Sequence, residues 1–127
     1  MANGDYLRFE ELQELIVPIT KIKEKVDLFV KERNLEIIYY SRGWPHFEIT
    51  WENSYGVDCL IQLYLDDDKE HYVLWIAGTI DFENKRYMKD VKLDENIKTP
   101  FDVNFIISEM EKGYKLCNLW KFEDLEE

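Results

Sequence analysis

Val57-Asp58-Cys59-Leu60-Ile61-Gln62-Leu63-Tyr64-Leu65 decides how this chain is read. Val57, Cys59, Ile61, Leu63 and Leu65 recur at every second position, the period at which an extended strand turns its side chains to one face. The same period continues on both sides. Upstream, His46 to Glu52 alternates Phe47, Ile49 and Trp51 inward and is joined to the central run by the turn residues Asn53-Ser54-Tyr55-Gly56; before it, Leu35 to Tyr40 ends at Ser41-Arg42-Gly43. Downstream, Asp66-Asp67-Asp68-Lys69 leads to a run from about His71 to Phe82, with Tyr72, Leu74, Ile76, Ile80 and Phe82 on one side and Val73, Trp75 and Ala77 on the other. Gly78 within that run predicts a bulge or the close approach of another backbone. Glu83-Asn84-Lys85 then turns into a fifth run, Arg86 to Leu93. Links this short predict an antiparallel meander, because parallel neighbours need crossovers of about a dozen residues.

Helical periodicity flanks the meander. Leu12, Leu15, Ile16, Ile19, Ile22, Val26, Phe29 and Val30 lie on one face of a helix over Leu7 to Arg33, kinked or split at Pro18 because proline lacks the amide hydrogen and its ring meets the carbonyl four residues back. Asn34 is a left-handed stop. After the fifth run, Thr99-Pro100 reads as N-cap and first helical position, with Asp102 in the first turn. Phe101, Phe105, Ile106, Met110, Tyr114, Cys117 and Trp120 supply the apolar stripe of a last helix that Gly113 weakens or ends. The tail from Phe122, with Glu123, Asp124, Glu126 and Glu127, is expected to fray. The expectation is a single α+β domain over residues 1–127: two layers, an N-terminal helix, about five antiparallel strands and a C-terminal helix on one sheet face.

Composition narrows the function. The chain has 27 acidic and 16 basic residues, a net charge of −11, while 46% hydrophobic and 15% aromatic content supports a folded core. Such a charge disfavours nucleic acid, since phosphate contacts need Lys and Arg, and steers the protein toward basic partners. The amino-terminal residues lack a secretory pattern and no apolar run approaches the roughly 20 residues that span a bilayer, so a cytoplasmic protein without membrane contact is expected. Cys59 and Cys117 form no metal or C-x-x-C spacing and read as two buried small side chains.

Chemistry finds little purchase. A triad from His71, Asp58 and Cys59 fails because adjacent strand residues point to opposite faces. His71 with Asp66, Asp67, Asp68 and Glu70 lacks the glycine and alternating oxygens of a calcium loop, and reads as a solvated turn. Close carboxylate pairs are guaranteed by 27 acids and carry no glycosidase signal, and five scattered glycines make no phosphate cradle. Lys21, Lys23 and Lys25 are offset by Glu24 and Asp27. No catalytic residue, metal or cofactor is expected.

The surface is what remains. Acids gather at Glu10, Glu11 and Glu14, at Asp66, Asp67, Asp68 and Glu70, at Asp81 and Glu83, and in the tail; the second and third groups lie at opposite ends of the fourth strand. Tyr64 and Trp75, beside Gln62 and Thr79, are candidates for a sheet face away from the helices, where rings would anchor an interface rimmed by Asp66, Asp67, Asp68, Glu70, Asp81 and Glu83. The plainer reading of that face is a solvated one with a few aromatic cross-strand pairs.

The acidic helix-meander-helix layout, the segment Gly43-Trp44-Pro45-His46-Phe47-Glu48-Ile49-Thr50-Trp51, and Ile80-Asp81-Phe82 leading through Thr99-Pro100 into an aromatic-rich last helix resemble the small acidic immunity proteins that bacteria make against polymorphic or contact-dependent toxins. The resemblance lies in layout rather than in any diagnostic motif, and no functional residue carries over by match. It implies a stoichiometric inhibitor that masks the active site of a basic cognate toxin, commonly a nuclease; a monomer or weak dimer is expected. Two other classes stay open: a small-molecule binder or small enzyme with a pocket lined by Tyr72, Trp75 and Trp51, and an adaptor subunit of a larger complex.

Overall fold

The computed structural model describes residues 23–40, 46–66, 71–98 and 102–127. Pro18 and the helical pattern before residue 23 lie outside the described residues, as do Thr99, Pro100 and Phe101. Residues 23–33 form helix α1. Its end has a specific cause: Asn34 adopts φ 56°, and the amides of Asn34 and Leu35 bond back to the Lys31 and Val30 carbonyls at 3.3 and 3.0 Å. This paired closure at a left-handed residue satisfies carbonyls that the helix itself leaves open.

Five strands follow: β1 (Glu36–Tyr40), β2 (His46–Glu52), β3 (Asp58–Leu65), β4 (Tyr72–Phe82) and β5 (Lys85–Ile97). They pair antiparallel in chain order, the meander expected from short links. Helix α2 spans Val103–Cys117, and a short 3₁₀ turn covers Phe122–Asp124. The architecture is α+β, with an N-terminal helix, a five-stranded antiparallel sheet and a C-terminal helix. No helix among the described residues is long and apolar enough to cross a membrane.

One sheet face carries the core. Ile49, Ile61 and Ile76 form one cross-strand row, and Phe47, Leu63 and Leu74 form the next. Against them pack Val26, Phe29 and Val30 of α1 and Ile106, Met110 and Cys117 of α2. Arg33 locks the two helices together: its guanidinium lies 3.9 Å from the Phe29 ring centroid, within 5.6 Å of that of Tyr114, and pairs with Glu111.

Several expectations are corrected. The N-cap of α2 is Asp102, whose side chain accepts the Phe105 amide at 3.1 Å, so the helix begins after Thr99-Pro100 rather than within it. Gly113 does not end α2. It lies buried where the helix presses on the sheet, and a Cβ there would meet Ile76 at 2.8 Å and Leu93 at 2.9 Å. Phe105 is 40% exposed and lies off the buried stripe, while Trp120 lies beyond the helix. Gly78 pairs regularly with Cys59 and Lys89, and the group that approaches it is a side chain, not a backbone: a Cβ would meet the Trp120 ring at 2.6 Å. The irregularities of β4 and β5 occur elsewhere, between Tyr72 and Trp75, and with them β5 continues past Leu93 to Ile97. The tail does not fray: Leu125 is buried, Phe122 packs edge-on to Phe82 and Tyr87, and Met88 and Glu126 exchange both backbone hydrogen bonds.

Tyr72 gives the core a pH limit. It is buried on the helix side, and burial pushes its hydroxyl from the ordinary 10.0 up to about 12. The folded state therefore holds this proton more tightly than the unfolded chain, so the stability it contributes is intact below pH 10 and declines as pH rises from 10.0 to about 12. Denaturant titrations across that window should show a declining midpoint in the wild type and a flatter profile in Tyr72→Phe; identical profiles would remove Tyr72 as the cause.

Candidate docking face of the sheet

Strand alternation places a second set of side chains opposite the helices. Ile38, Glu48, Gln62, Trp75 and Lys92 form one row across the five strands; Glu36, Thr50, Leu60, Ala77 and Asp90 form the next; Glu52, Asp58, Thr79 and Met88 follow, and Asp81 faces Arg86 beyond them. Tyr64 and Val73 pair at the other end. The floor is tight, with Val73 at 1% and Ala77 at 2% exposure, although both point away from the helices.

Tyr64 and Trp75 share this open face with Gln62 and Thr79, and both rings are half-buried. The Trp75 indole is fixed by donating from Nε1 to Asp90 Oδ2 at 2.8 Å, and Gln62 donates to Glu48 at 3.2 Å. Asp66 follows β3, its amide bonded to the His71 carbonyl at 2.9 Å. Asp67, Asp68 and Glu70 lie outside the described residues. Asp81 and Glu83 are at the far end of β4, Glu83 in the β4–β5 turn with φ 51° next to Asn84 at φ 64°, the paired left-handed geometry of a two-residue hairpin. Asp66 is thus separated from Asp81 and Glu83 by the length of the strand.

The ground between those ends is itself acidic, which the reading of loops and turns missed. Glu36, Glu48, Glu52, Asp58 and Asp90 all project from this face, and the signal for them was the alternation already used to find the core. Glu52 stands directly opposite Asp58, a like-charge pairing that costs stability in a sheet. Neither has an ion pair among the described residues. The cations of these strands on this face are already engaged. Arg86 grips Asp81 with two hydrogen bonds, at 3.0 and 3.3 Å, which hold the Asp81 carboxyl below its usual range. Lys92 pairs with Glu95 at 3.3 Å, and that hydrogen bond and charge raise its own pKa.

Leu60, Ala77, Thr79, Met88 and Trp75 floor a groove of about 770 Å³ walled by Glu36, Glu52 and Asp58, which turns over the end of the sheet toward Arg33, Asn34 and Leu35. Trp51 lines it from that end, but Tyr72 does not: it lies buried on the other face, contrary to the expected pocket. Asp58 and Cys59 point to opposite faces, the first exposed and the second buried. Among the described residues no group of three or more His, Cys, Asp and Glu is placed to hold a metal ion. The arrangement is an apolar and aromatic floor walled by Glu36, Glu52 and Asp58, none of which makes an ion pair among the described residues, on a two-layer α+β scaffold. Comparison with known protein families, curated sequences and solved structures finds no match to this chain.

Proposed function

We propose that this chain is an acidic protein-binding module whose open sheet face docks a basic protein, and that it acts as an immunity-type inhibitor masking the active site of a cationic toxin such as a nuclease. The observation that carries the reading is the charge imbalance of that face, where Glu36, Glu52 and Asp58 make no ion pair among the described residues while Arg86 and Lys92 are each tied to a carboxylate. Carboxylates so placed occupy the role of phosphates toward a nuclease, and opposite charge raises association rates by one to three decades, about what an inhibitor needs to outrun its target. Trp75 supplies the desolvated centre.

The test is affinity capture from source cells with the wild type and with Glu36→Lys/Asp58→Lys, followed by rebinding of the purified partner across a salt series. A basic partner is expected, associating roughly 10- to 100-fold more slowly with the reversed variant and more slowly as salt rises. A neutral partner, or equal binding by the variant, overturns the reading. The groove volume favours one second reading, since about 770 Å³ falls in the range of small-ligand sites. A cationic small molecule retained by the purified chain in place of a protein would select it.

A further inference from the structure

We propose that Cys59 and Cys117 are a latent modification site, a dithiol that peroxide oxidises to a disulfide fastening β3 to the C-terminal end of α2. The two cysteines are free, are exposed by only 2% and 0%, and come from elements 58 residues apart. Cys59 Sγ lies 3.6 Å from the Cys117 carbonyl oxygen, which sets the two cysteines side by side across the strand–helix contact. The helix end that carries Cys117 is held in place by its surroundings: Asn53 donates to the Cys117 and Trp120 carbonyls at 2.8 and 2.9 Å, and Trp51 donates to Asn118 at 2.8 Å. The chain around Cys117 is therefore held against the β2–β3 hairpin that carries Cys59.

The chemistry balances with hydrogen peroxide as the oxidant. One thiolate attacks a peroxide oxygen, the O–O bond breaks, and a sulfenic acid forms with release of hydroxide; the second thiolate attacks that sulfur, the S–S bond forms and a second hydroxide leaves. Two thiols and one peroxide become one disulfide and two waters, the protein giving up two electrons. Hydrogen bonding to Cys59 and burial both push the Cys117 pKa up, so the Cys117 thiol is protonated and unreactive while the helix end is closed. Oxidation then proceeds only through local opening, and the cross-link, once re-buried, is shielded from reductant. Both cysteine side chains are buried on the helix side of β3, although Cys59 also borders the groove, and the cross-link does not depend on the function proposed for the open face.

The experiment treats the full chain with hydrogen peroxide at denaturant concentrations just below the unfolding transition, then alkylates under full denaturation and measures intact mass. The expected product is a monomer that has lost two hydrogens, takes up no alkylating agent, maps to a Cys59–Cys117 cross-link, and unfolds on the order of 10 °C higher until a reductant restores the starting value. Cys117→Ala should give no cross-link. The reading rests on the wild-type protein, so a variant that fails to fold leaves it testable. Two free thiols after prolonged exposure, sulfinic acids in place of the cross-link, or a cross-linked chain that melts lower than the reduced one would each overturn it.

Discussion

Asn53→Ala is expected to lower the unfolding free energy by about 3–5 kcal/mol, the range for breaking a buried polar network. Asn53 is the buried polar side chain among the described residues, 6% exposed. Its oxygen accepts the amides of Tyr55 and Val57 at 2.9 and 3.0 Å, organising the β2–β3 turn, and its amide donates to two carbonyls at the end of α2. One side chain thus joins a hairpin to a helix terminus, and alanine leaves donors and acceptors unpaired on both. Asn53→Asp separates the halves: it keeps the acceptor that serves the turn but sets a carboxylate against two carbonyls, so its loss should equal or exceed that of alanine. Denaturant titration measures this as a lower midpoint at unchanged slope. A loss below about 1 kcal/mol for alanine would mean that water replaces these bonds and that Asn53 is not the junction described.

If the open face docks the basic partner proposed above, Trp75→Ala should weaken that docking by about 2–4 kcal/mol, which is roughly 30- to 1,000-fold in Kd, with the change falling on dissociation. The ring lies mid-face, between Gln62 and Lys92 in its row, and is held by Asp90, so it meets a partner already ordered. Because Trp75 is only half-buried, the fold should survive its removal. The contrast with the carboxylates is diagnostic. Charge reversal at Glu36 and Asp58, neither of which holds the ring, acts on association and fades as salt rises, whereas the Trp75 effect should persist at high salt. Trp75→Phe restores the apolar contact without the Nε1 donor and should recover part of the loss. A Trp75→Ala variant that dissociates at the wild-type rate would move the centre of the interface off this face.

The meander was legible because β2 and β3 bury one face and not the other, and that difference writes itself as period two at Phe47, Ile49, Cys59, Ile61 and Leu63, while β4, which also buries Val73 and Ala77 on its open face, is marked by its apolar run between short links. Asn34 was legible because few residues accept a left-handed φ. What escaped depended on contacts between distant segments. Gly78 and Gly113 look like local weaknesses, yet each is small because a specific neighbour presses on it, the Trp120 ring in one case and Ile76 with Leu93 in the other. The extent of β5 escaped because its extra residues break the alternation. The start of α2 was placed at Thr99 because threonine before proline is a strong cap signal, but Asp102 supplies the cap bond. For the candidate face, Tyr64 and Trp75 could be placed by parity, while Glu36, Glu52 and Asp90, and the part of Asp58 in the same face, escaped because attention to clustered acids overlooks those dispersed one per strand and gathered only by pairing.

The exchange of hydrogen bonds between Met88 and Glu126 has a bearing on handling this protein. β5 is the outermost strand on its side of the sheet, and a rim of bare amides and carbonyls recruits strands from other molecules. The last residues act as a strap over part of that rim, anchored by Leu125 in the core and Phe122 against Phe82. Trimming the chain before Leu125 would uncover it, and the shortened protein would self-associate through the sheet before it lost its helices.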